Sequence, residues 1–426
     1  MNHKKLGILA AGGPAPGINS VIAAATIRAR LSGIEVVGLR DGFKWIMEGI
    51  LDHTTELTTD NVSPIHFRGG SFIGINRANP ARENKLEQTI QSLEQLGIDK
   101  LICIGGDGTA YTATKLLQAA GDRLRIVHVP KTIDNDLMLP DDIPTFGFQT
   151  ARHVGVRIVQ DLHRDAETTS RWYFIVAMGR QAGHLALGIG KAASATITLI
   201  PEEFPEKVPL KEIVDVLTGA IIKRISQGHW DGTAVIAEGL IERIDSEDLE
   251  AEFREADRDQ FGKVRLADIN LGQLLRQRVQ QRLLNLPAKI NISIQPRNVG
   301  YELRCTDPIP FDMEYTRDLG YSATKYLLQG GNAAMITIQR GQFKPVPFTD
   351  LLDPVTNRTR VRNVNTDTES YKIARRYMTR LRRDDFEKEP TIALFAATAG
   401  MSPEAFRNEF EYVVTHEAPP LSLRFS

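Results

Sequence analysis

Cysteine is scarce. The 426 residues hold only Cys103 and Cys305, far apart and without metal-ligand spacing. That excludes a cysteine-held metal site and points to a reducing compartment. Long apolar runs are missing as well. No stretch approaches the ~20 apolar residues of a membrane span. The run after Lys4-Lys5 stops at Gly12, too short for the core of a secretory leader. A cytoplasmic protein is expected. Neither sign of charge is in excess: the formal net charge is −1, which argues against a general nucleic-acid or membrane-surface role. No repeat at a fixed short period is visible.

What is present is ordinary for a soluble α/β enzyme: 42% hydrophobic residues, 25% charged and 34 glycines. The length suits two domains. The chemistry concentrates in residues 101–136. Leu101 to Ile104 reads as a buried parallel strand, and Gly105-Gly106-Asp107-Gly108-Thr109 as the turn leaving its carboxyl end. A second strand, Ile126 to Val129, ends at Pro130 and delivers Lys131, Thr132, Asp134 and Asp136. Neighbouring strand ends are where open α/β sheets bind ligands. Bare glycine backbone can approach an anion, and the adjacent carboxylates suit a divalent cation, so phosphate with Mg2+ is expected.

The flanking sequence supports the same chemistry. Leu6 to Ala10 reads as a strand, followed by Gly12-Gly13-Pro14-Ala15-Pro16-Gly17 and a helix from Ile18 to about Leu31, a phosphate-binding arrangement. Alone, such a turn also serves simple chain reversal. Ile34 to Leu39 is a further strand and 83–96 a helix. Residues 65–80 read as a loop in which Arg68 and Arg77, beside glycines, are placed to clamp a phosphoryl group or to lie solvated.

The second half alternates again. Trp172 to Ala177 is a strand ending in Met178-Gly179-Arg180, and a helix runs to about Ala193. Strand Thr196 to Ile200 leads to a helix over roughly 209–227, and strand Thr233 to Ala237 ends at Glu238-Gly239. A helix at 270–285 and a strand from Lys289 to Ile294 follow. The mixed charges of 241–268 suggest a solvated excursion, and 344–371 an extended surface connection. The basic stretch Lys372 to Arg383 reads as a solvated helical face, and 390–426 as a strand, a short helix at 402–412 and a tail. Strand–helix alternation in both halves predicts an α/β fold of two Rossmann-like, doubly wound lobes with parallel sheets and the active site in the cleft between them.

Together these segments resemble the 6-phosphofructokinase superfamily over roughly residues 5–345, on its mixed ATP/pyrophosphate branch. The resemblance is carried by Gly12-Gly13-Pro-Ala-Pro-Gly17, Gly105-Gly-Asp-Gly108, Pro130-Lys-Thr-Ile-Asp-Asn-Asp136, Met178-Gly-Arg180, Ala237-Glu-Gly239 and Gly300-Tyr-Glu-Leu-Arg304. It implies a cytoplasmic homodimer or homotetramer that phosphorylates fructose 6-phosphate at its 1-hydroxyl in glycolysis. The lobes implied are 1–147 for donor phosphate and Mg2+, completed by part of 270–300, and 148–345 for fructose 6-phosphate, with 346–426 as a C-terminal extension.

By the same resemblance Asp134 is the general base and Asp107 the metal ligand, with Asp136 beside the metal. Gly13, Arg77, Ala78, Gly106, Asp107, Gly108 and Thr109 bind the donor. Arg77 and Lys131 neutralise charge on the transferring group. Thr132, Ile133, Asp134, Met178, Gly179, Arg180 and Glu238 form the sugar-phosphate pocket, closed by Tyr301 and Arg304. Arg171 reaches the 6-phosphate from a neighbouring subunit.

Gly108 and Lys131 bear on the donor. The pyrophosphate-dependent branch typically carries aspartate where Gly108 stands, crowding out a nucleotide, so Gly108 favours ATP. Lys131 is the pyrophosphate-type residue but is compatible with either donor. ATP is therefore expected, with diphosphate as the alternative. An NAD or lipid kinase would share Gly105-Gly-Asp-Gly108 but leave Arg171, Arg180, Glu238 and Arg304 without a purpose. A non-catalytic sugar-phosphate binder would not need Asp107, Lys131 and Asp134.

Overall fold

A computed structural model describes residues 4–140, 143–252, 269–351 and 361–415. The chain divides into two compact units, residues 1–154 with 300–362, and 155–299 with 363–426.

The first unit begins with β1 (Lys5–Ala10), β2 (Val36–Leu39), β3 (Thr54–Leu57), β4 (Ile98–Gly105) and β5 (Arg125–Pro130). The second holds β6 (Trp172–Ala177), β7 (Ile197–Leu199), β8 (Gly232–Ala237) and β9 (Ile294–Val299). The chain then returns to the first unit for β10 (Ala334–Gln339) and β11 (Gln342–Pro347). The first sheet runs β11-β10-β5-β4-β1-β2-β3, parallel except at its two antiparallel edges, and the second runs β7-β8-β6-β9, parallel throughout. The central strands are apolar on both faces, as a sheet covered on both sides requires. Every residue of β6 and β8 is buried.

Helix Ile18–Arg30 packs on helix Pro310–Leu328, which brings residues nearly 300 positions apart into one core. Gly320 makes the close crossing possible, because a Cβ there would sit 2.5 Å from the Val21 carbonyl oxygen. Thr324 Oγ1 donates to the Ala25 carbonyl at 3.1 Å across the same seam. Buried Asp312 fastens the helix start by accepting from the Gly147 and Thr150 backbone N–H groups and the Thr150 hydroxyl. Burial pushes its carboxyl above the usual carboxylate range.

Several expectations need correction. The expected boundary at 147/148 falls instead inside helix Phe148–Thr169, and residues 300–345 belong to the first unit rather than the second. The first unit is completed by 300–362, not by part of 270–300. The apolar alternation at 289–294 is not a strand. Ile290 and Ile292 are buried in the core, but pairing begins only where Ile294 comes alongside Trp172.

The stretch from 390, read as a strand, is helix Glu389–Ala399, whose Ile392, Phe395, Ala396 and Ala399 are buried at helical spacing. It packs with helix Pro403–Phe410 into the second core, so 363–415 is part of that unit and not a separate extension. The basic stretch is not a solvated helical face. The helix ends at Tyr377, and Arg375 and Arg380 both pair with Glu203, which is 2% exposed. Residues 253–268, most of the charged excursion, lie outside the described residues, as do 352–360 and 416–426. No helix among the described residues is long and apolar enough to cross a membrane.

Candidate active site

In the first unit, three adjacent parallel strands end side by side: β1 at Ala10, β4 at Gly105 and β5 at Pro130. The loops leaving them are laced together. Ala11 N–H donates to the Ile104 carbonyl at 2.9 Å and Lys131 N–H to the Gly105 carbonyl at 2.8 Å. Gly12 N–H donates to the Asn76 carbonyl at 2.8 Å, which brings the arginine loop to the glycine turn. Asn76 Oδ1 then accepts from Ala78 N–H, and Asn79 Oδ1 accepts from the Thr112 hydroxyl of helix Asp107–Ala120. Exposed Arg77 is thereby anchored on both sides, next to the Gly12-Gly13 turn. Arg68 is held by other partners: its carbonyl accepts from Asn19 Nδ2 at 3.1 Å, and its guanidinium lies over the Phe67 ring.

Asp107 opens its helix, and Thr109 packs against Gly105 so tightly that any Cβ there would collide with it. A Cβ on Gly108 would meet nothing within 4 Å. Thr132, Ile133, Asp134 and Asp136 are all buried, and the Thr132 hydroxyl accepts from Asp134 N–H at 3.0 Å. Lys131 is only 3% exposed, and its ammonium donates to the Gly13 carbonyl. Burial pushes its pKa down to about 8, against the pull of Asp134, Asp136 and Asp107 and with a further push from Arg304. One amine therefore feels all three carboxylates and a guanidinium. Arg304, expected with the sugar-phosphate set, also lies here: a Cβ on Gly13 would meet its guanidinium carbon at 3.6 Å. The same guanidinium stacks over Tyr301, 4.8 Å from the ring centroid.

In the second unit, β6 and β8 end together at Ala177 and Ala237. Glu238 Oε1 accepts from the backbone N–H groups of Gly179 (3.1 Å) and Arg180 (2.7 Å), shaping the Met178-Gly179-Arg180 turn. Gly239 is needed beneath it, because a Cβ there would collide with the Arg180 carbonyl. Arg171 is not brought to this turn. It precedes β6 at the opposite end, one six-residue strand or about 20 Å away, and lies 3.9 Å from Asp165.

Four residues outside the sequence motifs also shape these ends. His128, fully buried beside Gly105, Gly106 and Lys131, is held neutral by burial, which pushes its pKa down to about 4. Its signal was a polar residue inside an apolar strand. Glu202 Oε1 accepts from Gly183 N–H and Val364 N–H, both at 2.9 Å, and Asn76 and Asn79 brace the arginine loop. No local pattern marks these three.

A phosphofructokinase family model matches residues 5–327. The chain is 48% identical over 412 residues to a protein of Thermotoga maritima named pyrophosphate–fructose 6-phosphate 1-phosphotransferase, covering 96% of this chain and 98% of that one. A Naegleria fowleri protein of the same name is 45% identical over 424 residues, covering 97% and 96%. The crystal structure of a pyrophosphate-dependent phosphofructokinase from Nitrosospira multiformis shares the fold, with a TM-score of 0.66 at 20% identity over 88% of this chain and 90% of that one.

The two near-full-length relatives overturn the expectation of ATP as donor. The physical reason lies in what Gly108 can do. A missing side chain removes an obstacle to a nucleotide but makes no contact with one, whereas buried Lys131 supplies a charge at the glycine turn. By the family match and by both relatives, this chain belongs to the phosphofructokinase family.

Proposed function

We propose that this protein transfers a phosphoryl group from pyrophosphate to the 1-hydroxyl of fructose 6-phosphate, giving fructose 1,6-bisphosphate and orthophosphate. The carrying observation is the near-full-length identity of 48% and 45% to two proteins named for that reaction. Buried Lys131 against the Gly12-Gly13 turn supports it, since a compact polyanionic donor needs charge close to the backbone loop.

In this reading the sugar O1 attacks phosphorus, the O1–P bond forms and the bridging P–O bond of pyrophosphate breaks. Asp134 takes the O1 proton, and orthophosphate leaves with the bond's electron pair. Lys131 and Arg77 offset charge on the transferring group, while the backbones of Gly13, Ala78, Gly106, Gly108 and Thr109 line the donor. Asp107 fits a magnesium ion. No cluster of three or more His, Cys, Asp or Glu side chains able to enclose a metal occurs among the described residues, and magnesium is usually held by one or two carboxylates with phosphate oxygens and water. Bound there, magnesium would neutralise pyrophosphate oxygens.

Thr132, Ile133, Met178, Gly179, Arg180 and Glu238 hold the sugar phosphate, with Tyr301 and Arg304 assisting. Arg171 serves the pocket of a second copy, because about 20 Å of strand separates it from the turn of its own chain. The test is a coupled assay of purified protein with fructose 6-phosphate, magnesium and either pyrophosphate or ATP. Turnover with pyrophosphate, reversed by added orthophosphate, is expected. Absence of pyrophosphate turnover refutes the proposal.

A further inference from the structure

Arg362 lies beyond residue 327, where the family match ends, yet it makes five hydrogen bonds to the loop that carries Asp134 and Asp136. Its backbone N–H donates to the Asp136 carbonyl at 2.8 Å. Its Nε donates to the Asn135 carbonyl at 3.0 Å, and its Nη1 to the carbonyls of Ile143 (2.8 Å) and Pro140 (3.4 Å). Its Nη2 donates to Asn135 Oδ1. The side chain is buried, at 7% exposure. The chain is seated for this by an antiparallel bridge between Val361 and Leu137.

We propose that Arg362 is a positioning residue that sets the 134–136 loop in its working geometry, an inference that rests on the phosphotransfer reading above. The loop needs such a brace. Asn135 sits at φ 57, in the left-handed region that a non-glycine residue adopts at a cost. Thr145 supports it from one side, donating from N–H to Asn135 Oδ1 (2.9 Å) and from its hydroxyl to the Thr132 carbonyl (2.6 Å). Arg362 supplies the rest. Its backbone N–H holds the Asp136 carbonyl, and its guanidinium alone holds the Asn135 carbonyl and side chain together with the carbonyls of Pro140 and Ile143. Carbonyls on a curved loop converge on a planar fork of donors, and lysine, a single point with three donors on a flexible stem, cannot span them. Catalytic carboxylates displaced by about 1 Å lose on the order of a hundredfold in rate.

The test compares wild type with Arg362→Lys and Arg362→Ala. Arg362→Lys is expected to lower kcat at least about a hundredfold, with KM for fructose 6-phosphate and for pyrophosphate each within about threefold. Amide exchange in 132–146 should accelerate about tenfold while the rest of the first unit is unchanged. Guanidinium ion, but not ammonium, should restore part of the kcat of Arg362→Ala. If Arg362→Ala does not fold, Arg362→Lys alone decides. Wild-type kcat in Arg362→Lys overturns the proposal, as does a fall in kcat without faster exchange in 132–146. A wild type inactive with pyrophosphate defeats the functional reading instead, and the exchange measurement still judges Arg362.

Discussion

Lys131 offers the sharpest test of the donor site. Its ordinary pKa of 10.5 is pushed down to about 8, chiefly by burial. In the free protein its ammonium is therefore present below pH 8 and lost above it. A polyanion bound at the Gly12-Gly13 turn favours the charged amine, so binding above pH 8 must take up a proton. The apparent kcat/KM for pyrophosphate should then fall up to about tenfold per pH unit above 8.

The same shift has a stability consequence. Between about 8 and 10.5 the unfolded chain binds a proton that the folded chain does not, so the folded state gains stability as pH rises through that window. The gap, at ~1.4 kcal/mol per pH unit, amounts to about 3 kcal/mol of cost carried by the charged amine at neutral pH. Lys131→Met should therefore raise the melting temperature at pH 7 while abolishing most pyrophosphate turnover, and it should flatten the alkaline limb. Initial rates from pH 6.5 to 9.5 and thermal melts of both proteins read these effects. Comparison with the variant cancels the titration of pyrophosphate itself. An alkaline limb that persists in Lys131→Met, or a lower melting temperature at pH 7, would refute the reasoning.

Asp134→Asn should cut kcat by about 10²–10⁴ and leave both KM values nearly unchanged, since a neutral amide of equal size cannot accept the O1 proton; a residual kcat within tenfold of wild type removes Asp134 as the base. Gly108→Asp should fold normally and keep pyrophosphate turnover within a few fold, because a Cβ there meets nothing within 4 Å; loss of turnover would show that the donor itself occupies that space. Glu203→Ala should lower folding stability by about 3–5 kcal/mol, as removal of one partner of a buried ion pair does, because Arg380 and Arg375 would lose their shared carboxylate. Denaturant titration reads this, and a change below 1 kcal/mol would contradict it.

Much of the donor half was legible because its signals are local. Gly12-Gly13, Gly105 to Thr109 and Lys131 to Asp136 each follow an apolar run, and parallel pairing of β1, β4 and β5 sets their ends side by side without further information. Met178 to Arg180 and Glu238 were legible for the same reason, at the ends of β6 and β8. Gly108 misleads about the donor, because it removes an obstacle to a nucleotide while an absent side chain binds nothing. The structure adds helices Phe148–Thr169 and Pro310–Leu328, and the apolar run of Glu389–Ala399 takes helical rather than strand spacing.

The strand-end loops and the chemistry they carry follow from local sequence, since backbone geometry and residue type there depend on neighbours a few positions away. Where chain segments return is set by long-range packing: Pro310–Leu328 against Ile18–Arg30, Arg304 beside Gly13, Glu203 between two arginines, and Arg362 on the 134–136 loop. Those placements depend on burial and hydrogen bonds between residues up to about 300 positions apart, and no local pattern records which distant carbonyl or helix face will be there to meet them.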